Sequence, residues 1–202
     1  MDLTVTIVRH GNTFDAGDVV RRVGVRTDLR LVAKGREQAD VLGRAFVERG
    51  LTFDRALAAP LLRTRETIDR ILAHQPAAPE IESADWLTEI DHGPDEDQAE
   101  EAVIARIGSE ALDAWDHDAR VPDGWIVNAE ERKTAWRDFW KSGSGRVLIV
   151  TSNGAARFAL FSDPALRAQA STLPSLKLRT GAYGVIAREA GALRLLSWDQ
   201  RS

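Results

Sequence analysis

The chain has 202 residues, 44% of them hydrophobic, with 27 Lys and Arg against 31 Asp and Glu, which fits one globular domain with a sizeable core and excludes a disordered or collagen-like chain. The absence of cysteine excludes disulfide scaffolds, thiol catalysis and cysteine-based zinc sites, and with no apolar run near the ~18 residues of a membrane span and no basic leader in MDLTVTIVRH, a cytoplasmic protein making no membrane contact is expected. A net charge of −4 gives no broad attraction for nucleic acid, so an anionic ligand has to be held by a local cluster of cations.

In chain order, residues 3–8 (LTVTIV) are apolar and β-branched and stop abruptly at Arg9, His10 and Gly11, the pattern of a buried strand that delivers polar groups at its carboxyl end. Residues 34–49 place Ala39, Leu42, Gly43 and Phe46 on one face, which predicts an amphipathic helix. Residues 53–58 (FDRALA) read as a second strand broken by Pro60, and Ile68, Ile71 and Leu72 mark a helix beginning near Arg63.

The stretch 94–145 differs: an acidic opening precedes two helical patterns, one with Ile104, Ile107, Ala111 and Trp115 on a face, the other with Ala135, Trp136, Phe139 and Trp140. It reads as a helical insert of about 94–145 in a single domain of 1–202, with Trp115, Trp125, Trp136 and Trp140 as core anchors of that insert. The run VLIV at 147–150 predicts another buried parallel strand, again ending in small polar residues, Thr151, Ser152, Asn153 and Gly154, ahead of a helix starting near Gly154. Residues 182–188 and 192–198 flank Gly191 as an antiparallel hairpin. Buried strands that end in polar turns and enter helices imply an α/β sheet with helices on both faces, and ligands of such sheets bind beyond the carboxyl ends of the strands.

Arg9, His10, Gly11, Asn12 and Thr13 therefore form the first candidate site. An arginine, a glycine that allows close backbone approach, and Asn and Thr donors make a cradle for a tetrahedral anion. Neutral imidazole beside such an anion is a competent nucleophile toward phosphorus.

Arg9-His10-Gly11 after an N-terminal strand resembles the signature of the histidine phosphatase superfamily, the phosphoglycerate mutase-like fold. Three further stretches agree, in order. Thr27-Asp28-Leu29-Arg30-Leu31 with Lys34-Gly35-Arg36-Glu37-Gln38-Ala39 is similar to the family's D-x-P-L-T-x-x-G-x-x-Q-A stretch, with Arg30 in place of the usual proline. Ala59-Pro60-Leu61-Leu62-Arg63-Thr64 resembles S-P-L-x-R-A, which implies that Arg63 binds phosphate; Leu87-Thr88-Glu89-Ile90-Asp91-His92-Gly93 resembles L-x-E-x-x-x-G, which implies that Glu89 is the proton donor. The main departure follows the strand VLIV, where the family reads S-H-G-G and this chain reads Thr151-Ser152-Asn153-Gly154, so that Ser152 stands in place of the second histidine.

The resemblance implies a three-layer α/β/α sandwich around a mostly parallel sheet. It also implies a phosphomonoester hydrolase that works through a phosphohistidine on His10, with Arg9, Arg63 and Glu89 as its other catalytic groups. Phosphate or substrate would be held by Gly11, Asn12, Thr13, Ser152, Asn153, Gly154 and Arg22, with Arg26 as an alternative to Arg22. The ligand is a small phosphorylated substrate or inorganic phosphate, and neither cofactor nor metal is needed; the oligomeric state is not read from the sequence. The alternative is a catalytically silent member that binds phosphate or a phosphorylated ligand, favoured by Ser152 and opposed by retention of both nucleophile and acid. A phosphomutase is disfavoured, because retaining and re-donating the phosphoryl group calls for a more basic pocket. Away from the motifs, His92 is expected to be a packing residue, His74 and His117 exposed, and Asp91, Asp95, Glu96 and Asp97 a solvated loop.

Overall fold

Six strands make one mixed sheet in the computed structural model, which describes residues 2–202. They are β1 (Leu3–Arg9), β2 (Arg55–Ala58), β3 (Ile81–Ser83), β4 (Gly145–Thr151), β5 (Tyr183–Glu189) and β6 (Ala192–Gln200). Their order is β3-β2-β4-β1-β5-β6, with β3, β2, β4 and β1 parallel and the β5–β6 hairpin joined antiparallel to β1. The register sets Arg9 of β1 opposite Thr151 of β4, so the two polar turns foreseen from sequence leave the sheet side by side.

Among the described residues seven α-helices complete the fold: α1 (Ala33–Glu48), α2 (Leu62–Leu72), α3 (Glu100–Ile107), α4 (Ser109–Asp118), α5 (Ala129–Ser142), α6 (Asn153–Phe161) and α7 (Pro164–Ala170). Strand alternation sorts the core onto two faces. Leu148 and Val150 of β4 pack with Leu42 and Phe46 of α1 and Ile68 and Ile71 of α2. Val147 and Ile149 point the other way, into a larger cluster with Trp136 and Trp140 of α5 and Phe158 and Leu160 of α6. Each fully buried Leu, Ile or Phe in these layers contributes roughly 1.5–3 kcal/mol, so both helical layers are held mainly by area removed from water. This is the three-layer α/β/α arrangement with a mostly parallel sheet.

The stretch 94–145 departs from the sequence reading in one respect. Its first helical pattern is two helices, because Gly108 adopts φ 82° between α3 and α4. Ile104 consequently stands 42% exposed while Val103 and Trp115 are buried, so the four residues expected on one face do not share it. Trp115, Trp125, Trp136 and Trp140 are all core residues. The short edge strand β3 is exposed at all three positions and carries no alternation, which is why the sequence did not announce it. Among the described residues, no helix is long and apolar enough to cross a membrane.

Candidate active site

The turn after β1 is fixed by its own backbone bonds. The His10 amide donates to Thr151 O at 3.0 Å, the Gly11 amide to Thr67 Oγ1 at 3.1 Å, and the Asn12 amide to Gln38 Oε1 at 2.9 Å. Gly11 and Gly35 cross so closely that a Cβ on either would overlap the other segment's backbone. The tight turn therefore needs both glycines, and its N–H groups are already committed to protein acceptors. A ligand at this turn therefore has to be met by side-chain donors rather than by the Gly11 and Asn12 amides.

His10 is buried, and its Nδ1 lies 2.8 Å from Gly11 O. A carbonyl can only accept, so Nδ1 carries the proton and Nε2 presents a lone pair. Burial, reinforced by the Arg63 and Arg9 charges, pushes the imidazole well below its ordinary pKa and keeps it neutral. Position, tautomer and charge state all suit nucleophilic attack.

Arg9 donates through Nη1 to Leu178 O at 2.7 Å, while its buried Nε has no protein partner. Burial lowers this guanidinium to about 10 against the pull of Glu89, with Arg157 and Arg63 pushing in the same direction as burial. Arg63, on the first turn of α2, is wholly buried; its Nη1 donates to Thr27 O at 2.8 Å and its Nη2 to Gly24 O at 3.1 Å, and again Nε is unpartnered. Burial lowers Arg63 as well, opposed by Glu89, Asp28 and Glu96.

Glu89 is buried and uses both oxygens, Oε1 accepting from the Ile90 amide at 2.9 Å and Oε2 from the Gly154 amide at 3.0 Å. A Cβ at Gly154 would run into that carboxylate. Gly154→Ala is accordingly expected to cost about 1–3 kcal/mol through overpacking, a fall of roughly 2–12 °C in Tm for a domain of this size. Thermal unfolding checks it, and an unchanged Tm would mean that Glu89 can retreat freely.

Ser152 precedes α6 and is fully buried with no partner for its Oγ. The structure thus brings Arg9, His10, Arg63, Glu89, Ser152 and Gly154 to the carboxyl ends of β1 and β4. The remaining expected residues are disposed differently. The Asn12 side chain accepts from Thr180 Oγ1 through Oδ1, Thr13 follows at a half-buried position, and Asn153 Oδ1 accepts from the Leu178 amide at 2.9 Å. Arg22 pairs with Glu100 and lies 5.5 Å from the Trp125 ring; Arg26 is bound to Asp91 at 3.0 Å. Both arginines are thus engaged by the 91–125 region rather than by His10.

Of the acidic run only Asp97 is exposed, and its two central members are buried rather than solvated. Asp95 is buried, taking the Arg106 guanidinium and Trp125 Nε1 at 2.7 Å. Glu96 is buried too and gathers the Gly24 and Arg26 amides at 2.9 and 3.1 Å and the Thr27 hydroxyl at 2.7 Å. Burial alone would raise the Glu96 carboxyl, but the His92 ring, the Thr27 hydroxyl and the His92 amide outweigh it and hold it at about 2. Through these bonds Glu96 fixes the loop whose carbonyls hold Arg63. Among the described residues no group of three His, Cys, Asp or Glu is placed to hold a metal ion. His92 packs edge-on to Trp125 at 4.5 Å, as a packing residue should, and His117 is exposed. His74 is not: it is half-buried, with Nε2 3.5 Å from Asp40 and its ring against Gly43, because α1 and α2 pack closely at that glycine.

Three residues here escaped the sequence reading. Thr67 and Gln38 hold the catalytic turn by its amides, and Arg157 lies wholly buried on α6. A signal for Arg157 existed: it is the one charge in NGAARFALF, an otherwise apolar helix. The more open clefts do not mark the site. One, between α7 and β6, is lined by Leu173, Leu195 and Trp198 and contains no titratable side chain.

Comparison with known proteins places the family and the fold. The sequence pattern of the histidine phosphatase superfamily (branch 1) matches residues 5–201. Mycobacterial glucosyl-3-phosphoglycerate phosphatase superposes with a TM-score of 0.76 at 17% identity, covering 98% of this chain and 99% of that one. The alpha-ribazole phosphatase of Shigella flexneri gives 0.71 at 19% identity, covering 98% and 97%. A shorter sequence match, 36% identical over 70 residues, is to the mitochondrial serine/threonine-protein phosphatase Pgam5 of Drosophila persimilis; it takes in 34% of this chain and 22% of that protein, so the chain spans about a fifth of that relative's length. With the family pattern running through nearly the whole sequence and the fold matching end to end, the chain belongs to the histidine phosphatase superfamily, branch 1.

Proposed function

We propose that this protein is a phosphomonoesterase acting on a small phosphorylated metabolite, with His10 as nucleophile. The observation that carries the reading is a neutral, buried imidazole with its Nε2 lone pair available, set among three buried donors that no protein atom satisfies: Arg9 Nε, Arg63 Nε and Ser152 Oγ. Buried donors without acceptors are costly unless a ligand supplies the oxygens, and a phosphoryl group supplies three. In the reaction His10 Nε2 bonds to phosphorus in line as the ester P–O bond breaks. Arg9, Arg63 and Ser152 donate to the equatorial oxygens, and Glu89 gives a proton to the departing alkoxide. Water then attacks phosphorus, its proton passes to Glu89, and the P–N bond breaks to return neutral His10 and inorganic phosphate.

In this reading Ser152 stands where the family has its second histidine, residues 94–145 are an insert within one domain, and Asn12, Thr13, Arg22, Asn153 and Gly154 border the substrate rather than the reacting phosphorus. The metabolite substrate follows the names of the similar structures, a glucosyl-3-phosphoglycerate phosphatase and an alpha-ribazole phosphatase. The test is turnover of a panel of phosphomonoesters that includes 4-nitrophenyl phosphate. Hydrolysis of at least one member is expected, and no hydrolysis by protein that binds inorganic phosphate would select the second reading, a silent phosphate binder, which Ser152 favours.

A further inference from the structure

Arg157 is a fully buried guanidinium that the proposed reaction does not use. It projects from α6 one turn beyond Ser152 and Asn153, with Nε 3.5 Å from Asn153 O. Nη1 donates to Trp115 O, Nη2 lies 3.3 Å from Asp116 Oδ1, and the group stacks 4.1 Å from the Trp115 ring centroid. All these anchors belong to the end of α4, so the guanidinium is clamped between the 94–145 stretch and the start of α6. The same clamp reaches Arg9 by a second route: Leu176 donates its amide to Asp116 O at 3.1 Å, and two residues on Leu178 O takes Arg9 Nη1.

A buried cation is expensive and needs a counter-charge. Asp116 answers only part of this one, because it also faces Lys177 Nζ at 3.5 Å and is itself partly exposed. Arg157 and Arg9 feel each other's charge, and Glu89 acts on both. Glu89 thus faces three arginines, Arg9, Arg63 and Arg157, although Ser152 itself brings no charge.

We infer that Arg157 is a positioning residue for the bound phosphoryl group: clamped by Trp115 and Asp116, it holds a positive charge behind Ser152 and draws the anion into a site where the neighbouring side chain is an uncharged hydroxyl. This rests on the phosphate site proposed above. It also gives the 94–145 stretch a part in the site, since α4 fixes where that charge stands.

The experiment is calorimetric titration of inorganic phosphate into the full chain and into Arg157→Lys, Arg157→Gln and Asp116→Asn, with Tm recorded for each. Arg157→Gln, which removes the charge, is expected to weaken phosphate by about tenfold or more, and Arg157→Lys, which keeps a charge but loses the fork and the stack on Trp115, by less than Arg157→Gln. Asp116→Asn removes the competing acid and is expected to tighten phosphate by about threefold even as it lowers Tm. A merely structural arginine would make all three variants weaken binding in step with lost stability. Wild-type affinity in Arg157→Gln, or loss of affinity in Asp116→Asn, overturns the inference; should Arg157→Gln fail to fold, the sign of the Asp116→Asn change decides alone. Failure of the wild type to bind phosphate overturns the site itself, which separates the two ideas.

Discussion

His10→Ala is expected to lower turnover by about three orders of magnitude or more, the scale seen when a covalent nucleophile is removed. The structure makes the expectation specific. Gly11 O holds the Nδ1 proton, so attack can come only from Nε2, and burial with Arg63 and Arg9 nearby keeps the ring neutral. Rapid quenching with labelled substrate should trap an acid-labile, base-stable phosphoprotein in the wild type and none in the variant. Near-normal turnover in His10→Ala would end the phosphohistidine mechanism.

The depressed histidine also fixes a sign for pH. Because the folded pKa lies well below 6.5, the unfolded chain takes up a proton at His10 in a range where the folded chain refuses it. Stability is therefore whole above about pH 6.5 and is lost as pH falls below that value, and Glu96, held at about 2, adds a further loss as pH falls below 4.5. In His10→Ala the first of these losses disappears, so the decline in Tm between pH 7 and 5 should be shallower than in the wild type.

The parts of this protein that could be read from sequence are those in which one residue type has one physical use. A β-branched run ending in Arg-His-Gly can hardly be other than a buried strand feeding a polar turn, and β1 and β4 both behave so. The Arg63 and Glu89 readings came from ordered motifs, and both groups lie near enough to Arg9 for their charges to act on it. What stayed hidden depends on partners distant in the chain. Asp95 and Glu96 looked like a solvated acidic run because nothing local shows that Arg106, Trp125 and the amides of Gly24 and Arg26 return to satisfy them. Arg22 seemed a phosphate clamp for the converse reason: Glu100 and Trp125, which engage it, lie some eighty to a hundred positions along the chain. That Thr67 and Gln38 hold the Gly11 and Asn12 amides was hidden likewise, because these acceptors sit on two different helices.

Ser152 carries the remaining test, and its two readouts should move in opposite directions. Its Oγ is fully buried and unbonded, a condition that costs about 1–3 kcal/mol in the ligand-free protein. Ser152→Ala removes that cost, so its Tm should equal or exceed that of the wild type. In the proposed reaction the same change takes away a donor to the phosphoryl oxygens, so kcat/KM should fall by about ten- to a thousandfold, corresponding to ~1.4–4 kcal/mol of transition-state stabilisation. A serine that merely fills space would leave kcat/KM untouched, and a serine needed for folding would lower Tm; either result removes it from the site. Ser152→His tests the proposed correspondence of Ser152 with the family's second histidine, and at least wild-type turnover is expected if that position faces the phosphoryl group. If wild type, Ser152→Ala and Ser152→His are all inactive while phosphate still binds, the donors at the ends of β1 and β4 serve recognition alone, and the nucleophile geometry at His10 is retained without being used.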